Sequence, residues 1–112
     1  MKKMMMLAAV VVVLGFTGEA AASSTGLRKI TNIGCAVSDN TCWVEVAGAA
    51  AGPAGCSGNS LRWSMASTGG KNILSLLTGA FLAGKEVRFE VVDTACYAES
   101  PAYPTFHYIN FN

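Results

Sequence analysis

The chain has 112 residues, carries eight Lys and Arg against seven Asp and Glu, and is 52% hydrophobic. That length holds one domain rather than several. The near-balanced charge argues against nucleic acid as a partner, because phosphate binding needs a clustered excess of Lys and Arg.

The amino end accounts for part of the hydrophobicity. Lys2 and Lys3 precede an apolar run over 4–16, and Ala20-Ala21-Ala22 follows. A charged start, an apolar centre and small residues at the cut predict a secretory leader over 1–22, removed before Ser23. A 13-residue run spans only about 20 Å as a helix, short of a hydrocarbon core of about 30 Å, so it is not a membrane anchor. No cysteine lies beside the cut to carry a lipid. The expected product is one exported domain, 23–112, periplasmic or extracellular and not an integral membrane protein. Removing Lys2, Lys3 and Glu19 leaves six cationic and six acidic side chains, which removes the electrostatic reason to expect binding to anionic membranes.

A domain of that size often needs covalent or oligomeric support. Its four cysteines, Cys35, Cys42, Cys56 and Cys96, form an even set in an oxidising compartment and predict two disulfides, with three connectivities open. No Cys-x-x-Cys pair is present and His107 is the only histidine, which argues against zinc. No cofactor is expected.

In chain order, residues 27–37 favour β structure, Ser38-Asp39-Asn40 signals a turn, and 42–46 alternates cleanly, with Cys42, Val44 and Val46 on one face and Trp43 and Glu45 on the other. The two segments read as a hairpin. A turn centred on Ser38 and Asp39 places Cys35 opposite Cys42, and that pairing leaves Cys56 to join Cys96. A Gly/Ala/Pro-rich loop over 48–58 leads to a third strand at 61–65, whose apolar face is Leu61, Trp63 and Met65. Ser67 or Thr68 is positioned to cap a helix. That helix is predicted over 71–83, with a core stripe of Ile73, Leu76, Leu77, Ala80 and Phe81 and with Gly84 as terminator. Its other face is almost free of charge beyond Lys71, a pattern shared by a subunit contact and by the surface of an Ala/Gly-rich protein. A strand at 86–92 points Val87, Phe89 and Val91 inward and Arg88 and Glu90 outward. After a loop over 93–105 the last strand runs over 106–111.

The order strand-strand-strand-helix-strand-strand is that of a mainly β, five-stranded Greek-key barrel with one helix, the oligonucleotide/oligosaccharide-binding (OB) layout. The alternative is an open antiparallel sheet with one helix across it. The chain also resembles the small secreted OB-fold B subunits of bacterial toxins of the subtilase-cytotoxin and pertussis type. The likeness rests on Ile73-Leu74-Ser75-Leu76-Leu77 through Phe81-Leu82-Ala83-Gly84-Lys85-Glu86-Val87, on Cys96, and on Tyr108-Ile109-Asn110. The resemblance implies a barrel that assembles into a ring, a homo-oligomer, and binds glycans on its outer surface. It carries over no binding residue.

Catalysis is not expected. His107 stands alone in a strand, where it would share a face with Ile109 and Phe111, and both disulfides together leave no thiol nucleophile. Ser57, Ser60 and Ser64 lack a nucleophile-elbow context, Glu86 and Glu90 read as solvated strand residues, and Gly69-Gly70-Lys71 lacks the spacing of a phosphate loop. Binding is the stronger reading. Trp43, Tyr97 and Tyr103 occupy positions that core packing does not demand, and aromatic faces stack on sugars. Arg62 and Arg88, on outward strand positions, add donors for an acidic or polyhydroxylated ligand. These five residues are the candidate site of a non-catalytic module that binds a glycan. The alternative is a monomeric interaction or inhibitor module that binds an envelope or secreted protein.

Overall fold

The computed structural model describes residues 22–112. The predicted leader therefore lies outside the described residues, except for Ala22, which pairs with Val92. Six strands and one helix follow in the order β1 (Ala22–Arg28), β2 (Ile30–Cys35), β3 (Thr41–Val46), β4 (Ser60–Ser64), α1 (Gly70–Ala83), β5 (Val87–Val92) and β6 (Phe106–Asn110). They form two antiparallel three-stranded sheets, β1-β5-β6 and β2-β3-β4. Ladder pairing does not close them into a barrel. Among the described residues no helix is long and apolar enough to cross a membrane.

The segment expected as one strand over 27–37 is divided between two. Arg28 pairs with Val87 in one sheet, while Ile30 pairs with Val46 in the other. The chain changes sheet at Lys29, whose carbonyl accepts a hydrogen bond from Ala47 N–H at 2.9 Å. The polar half of β1 carries no apolar alternation, and a bulge interrupts it between Ser24 and Leu27. Gly26 there has φ 71°, a left-handed conformation that suits glycine. Phe89 N–H donates to Thr25 Oγ1 at 3.1 Å, so the side chain replaces a ladder bond the bulge removes.

Both disulfides join the expected partners, Cys35 to Cys42 and Cys56 to Cys96, and none of the four cysteines is free. The first links directly paired residues of β2 and β3. The second ties the loop over 47–59 to that over 93–105.

The core lies between the sheets and under the helix. Val44, Leu61, Leu77, Val87 and Phe89 are fully buried, and Trp63 is buried as expected. Its ring meets Phe106 edge-on at 5.7 Å, and Phe106 meets Phe89 at 5.3 Å. This aromatic chain joins β4 of one sheet to β5 and β6 of the other. A bulge in β6 makes it possible: Val91 pairs with Phe106 but Glu90 pairs with Tyr108, so His107 is the extra residue. The bulge shifts the phase of the strand and turns both Phe106 and Ile109 inward. His107 is exposed, whereas Ile109 is half-buried.

The helix begins one residue earlier than predicted. Neither Ser67 nor Thr68 caps it: the cap residue is Gly69 at φ 82°, with no side-chain bond, and Ser67 Oγ donates instead to Ser64 O at 2.6 Å. Gly70 sits where a Cβ would collide with the Ser64 carbonyl, and its own carbonyl accepts from Trp63 Nε1 at 3.0 Å. The helix therefore starts directly against the end of β4. Gly84 ends it in a left-handed conformation, as expected. The core stripe is narrower than predicted. Leu77 and Ala80 are buried, with Ile73 and Leu74 partly buried beside them. Leu76 and Phe81 lie on the flanks, 47% and 39% exposed, and Leu82 on the outer face is 78% exposed.

Candidate ligand-binding surface

Alternation along β3 and β4 turns Cys42, Val44, Leu61 and Trp63 into the core and therefore turns Trp43 and Arg62 to the outer face. The two are direct cross-strand partners. Across the next ladder Trp43 faces Gly34, and this glycine decides how the indole lies. A Cβ at Gly34 would stand 2.6 Å from the Trp43 ring, so the ring rests flat on the bare backbone. Trp43 Nε1 donates to Asn32 Oδ1 at 3.0 Å, which fixes the rotation of the ring.

Arg62 continues the row. Its guanidinium carbon lies 5.3 Å from the Trp43 ring centroid and 3.5 Å from that of Tyr103. At such distances the aromatic faces attract the cation, by about 0.5–2 kcal/mol per contact depending on exposure. Arg62 Nε is buried without a hydrogen-bond partner. The stack therefore holds the guanidinium in place without using this donor.

Tyr103 comes from a distant loop that several bonds tether. Arg62 N–H donates to Pro104 O at 3.0 Å, and Thr105 Oγ1 donates to Arg62 O at 2.7 Å. Pro104 packs against Gly52, where a Cβ would stand 2.5 Å from the proline ring. Tyr97 N–H donates to Tyr103 O at 2.9 Å, and Tyr103 N–H donates to Ser100 O at 3.1 Å. With the Cys56–Cys96 bridge, these contacts tether both loops to the edge of β4.

The five candidate residues thus divide. Trp43, Arg62 and Tyr103 form one contiguous row. Tyr97 is 6% exposed, and its hydroxyl lies 3.0 Å from Thr41 Oγ1 inside the protein. Thr41 Oγ1 in turn donates to Glu99 at 3.5 Å, so the single threonine proton leaves Tyr97 as donor in the inner bond. Tyr97 therefore anchors its loop, contrary to its expected place on a binding surface: a buried ring presents no face to a ligand. Arg88 lies on the other sheet, paired with Leu27 and Asn110, and makes no part of the row.

Asn32 and Gly34 belong to the surface and were not among the sequence candidates. The Cys35–Cys42 register carried the signal, since pairing those two places Gly34 opposite Trp43. Among the described residues no group of three or more His, Cys, Asp or Glu side chains is arranged to hold a metal. No known family matches the chain, and neither a curated protein nor a solved structure is significantly similar to it.

Proposed function

We propose that the domain is an exported, non-catalytic binding module whose ligand surface is the outer face of β2-β3-β4, with a glycan as ligand. The observation that carries this reading is the Trp43–Arg62–Tyr103 row. A cation is held 3.5 Å from one aromatic centroid and 5.3 Å from another. Rings and guanidinium together supply what a sugar needs: an apolar platform for its C–H face and rigid donors for hydroxyl or carboxylate oxygens.

The topology supports an OB-like reading. β1 and β2 are two halves of one chain segment that changes sheet at Lys29, one half pairing with β5 and the other with β3. On the far side, Arg62 N–H reaches Pro104 O between β4 and the approach to β6. Taking the halves as one bent strand gives five strands around a common core with the helix between the third and fourth. The resemblance to toxin B subunits agrees with this layout and extends the proposal to a toxin-B-subunit-like module.

A second reading, a protein-interaction or inhibitor module of the cell envelope, has its own observation. The helix shows Leu76, Phe81 and Leu82 to solvent and carries no charge after Lys71, which suits contact with a protein partner. Glycan-array screening of the exported protein decides between the two readings. Binding that is lost in Arg62→Ala and Tyr103→Ala supports the glycan reading. Absence of binding to every glycan, with a protein partner retained through Leu82, supports the second.

A further inference from the structure

We propose that Asp93 is the docking group for the α-ammonium that leader removal creates at Ser23, so that processing adds an ion pair which latches β1 onto β5. The inference rests on the export reading and on one contact outside the ligand surface. Ser23 Oγ donates to Asp93 Oδ1 at 3.0 Å, at the point where Ser23 pairs with Val91 and Ala22 with Val92.

The predicted cut falls between Ala22 and Ser23. Water adds across that peptide bond under an exported peptidase: the hydroxyl goes to the Ala22 carbonyl carbon, which leaves as a carboxylate, and Ser23 nitrogen takes up protons to become an ammonium. Three covalent bonds separate that nitrogen from Ser23 Oγ, which keeps the two atoms within about 4 Å. A hydroxyl 3.0 Å from Asp93 Oδ1 keeps the new cation within about 7 Å of the same carboxylate, and rotation about the single bonds of the freed chain end closes the gap.

The surroundings leave Asp93 for this role. The recess beside it, about 240 Å³, contains one other charged residue, Arg28. Arg28 is turned away: its Nη1 donates to Ala47 O at 2.9 Å and Ala49 O at 2.8 Å, and its Nε donates to Thr25 O at 3.0 Å. In the uncut chain Ser23 nitrogen is a neutral amide, so the pair exists only after processing.

The test uses the full chain exported with its own leader. Mass spectrometry of the purified product reads the cut, and a product beginning at any residue other than Ser23 overturns the proposal at its first step, leaving the ligand reading standing. Hydrogen exchange of the β1 amides reads the latch. Ser23→Ala removes the hydroxyl bond, and small residues still flank the cut. In that background Asp93→Asn speeds exchange of the β1 amides about two- to fivefold at low salt, and the effect shrinks at 1 M salt, as an exposed ion pair requires. Exchange in the Ser23→Ala protein that Asp93→Asn leaves unchanged overturns the latch, because the hydroxyl bond then accounts for the whole contact.

Discussion

The guanidinium of Arg62 lies 3.5 Å from the ring centroid of Tyr103, although 41 positions separate the two residues in the sequence. That contact joins the outer face of one sheet to a loop that the second disulfide tethers. It makes the Trp43–Arg62–Tyr103 row a product of two distant parts of the chain.

Tyr103→Ala removes the outer wall of the row while leaving the fold intact, because the loop stays anchored through Tyr97, Pro104 and Cys96. Glycan binding is expected to fall at least tenfold, with a thermal midpoint shift of only a few degrees. Arg62→Lys, which keeps the charge but loses the planar stack, is expected to weaken binding similarly. Calorimetry with a ligand from the array, beside thermal unfolding, checks both.

Gly34→Ala places a methyl group where the Trp43 ring now lies. The indole must lift and give up its bond to Asn32, a cost of about 1–3 kcal/mol. Denaturant unfolding measures the loss, and a shifted Trp43 emission spectrum locates it. An unshifted spectrum with wild-type stability contradicts the flat packing.

The two disulfides differ in what they enclose. Cys56 and Cys96 are 40 residues apart, Cys35 and Cys42 only 7. On the loop-entropy account, removing the long-range bridge costs about 4 kcal/mol and the short one about 2.5 kcal/mol. Paired Cys→Ser variants compared by denaturant titration test that order. The Cys56→Ser/Cys96→Ser protein is also expected to lose glycan affinity, since its loops no longer hold Tyr103 in place.

Tyr97→Phe deletes the hydroxyl that donates to Thr41 and leaves a buried acceptor underused. A loss of about 1–2 kcal/mol is expected, with ligand binding reduced far less than by Tyr103→Ala. Equal effects on binding from the two substitutions would place Tyr97 on the ligand surface after all.

Much of this was legible beforehand. Strict alternation in Cys42-Trp43-Val44-Glu45-Val46 and in Val87-Arg88-Phe89-Glu90-Val91 marks two strands with their inward faces, because a half-buried strand repeats every second residue. Ser38-Asp39-Asn40 marks the turn that sets Cys35 against Cys42, and the remaining bridge follows. Trp43 and Arg62 are outward residues on that same reading.

What alternation cannot show is where a strand breaks its own period or changes partner. Ala22–Arg28 carries a bulge and little apolar side chain, and only pairing with β5 makes it a strand. In β6 the bulge at His107 turns Phe106 and Ile109 to one face, against the simple two-residue rule. The helix stripe allowed Leu76 and Phe81 as core, but the sheet beneath accepts only the narrower strip around Leu77 and Ala80. Tyr97 and Tyr103 are the same residue type, six positions apart in one loop. One is buried and the other stacked on Arg62 because of loop contacts that no local pattern encodes. Sequence alone thus determined the strands with strict alternation, the turn and the disulfide pairing, each set by neighbours a few residues apart or by a count. Tertiary structure decided the two-sheet division and the membership of the Trp43–Arg62–Tyr103 row, because both depend on contacts between segments tens of residues apart.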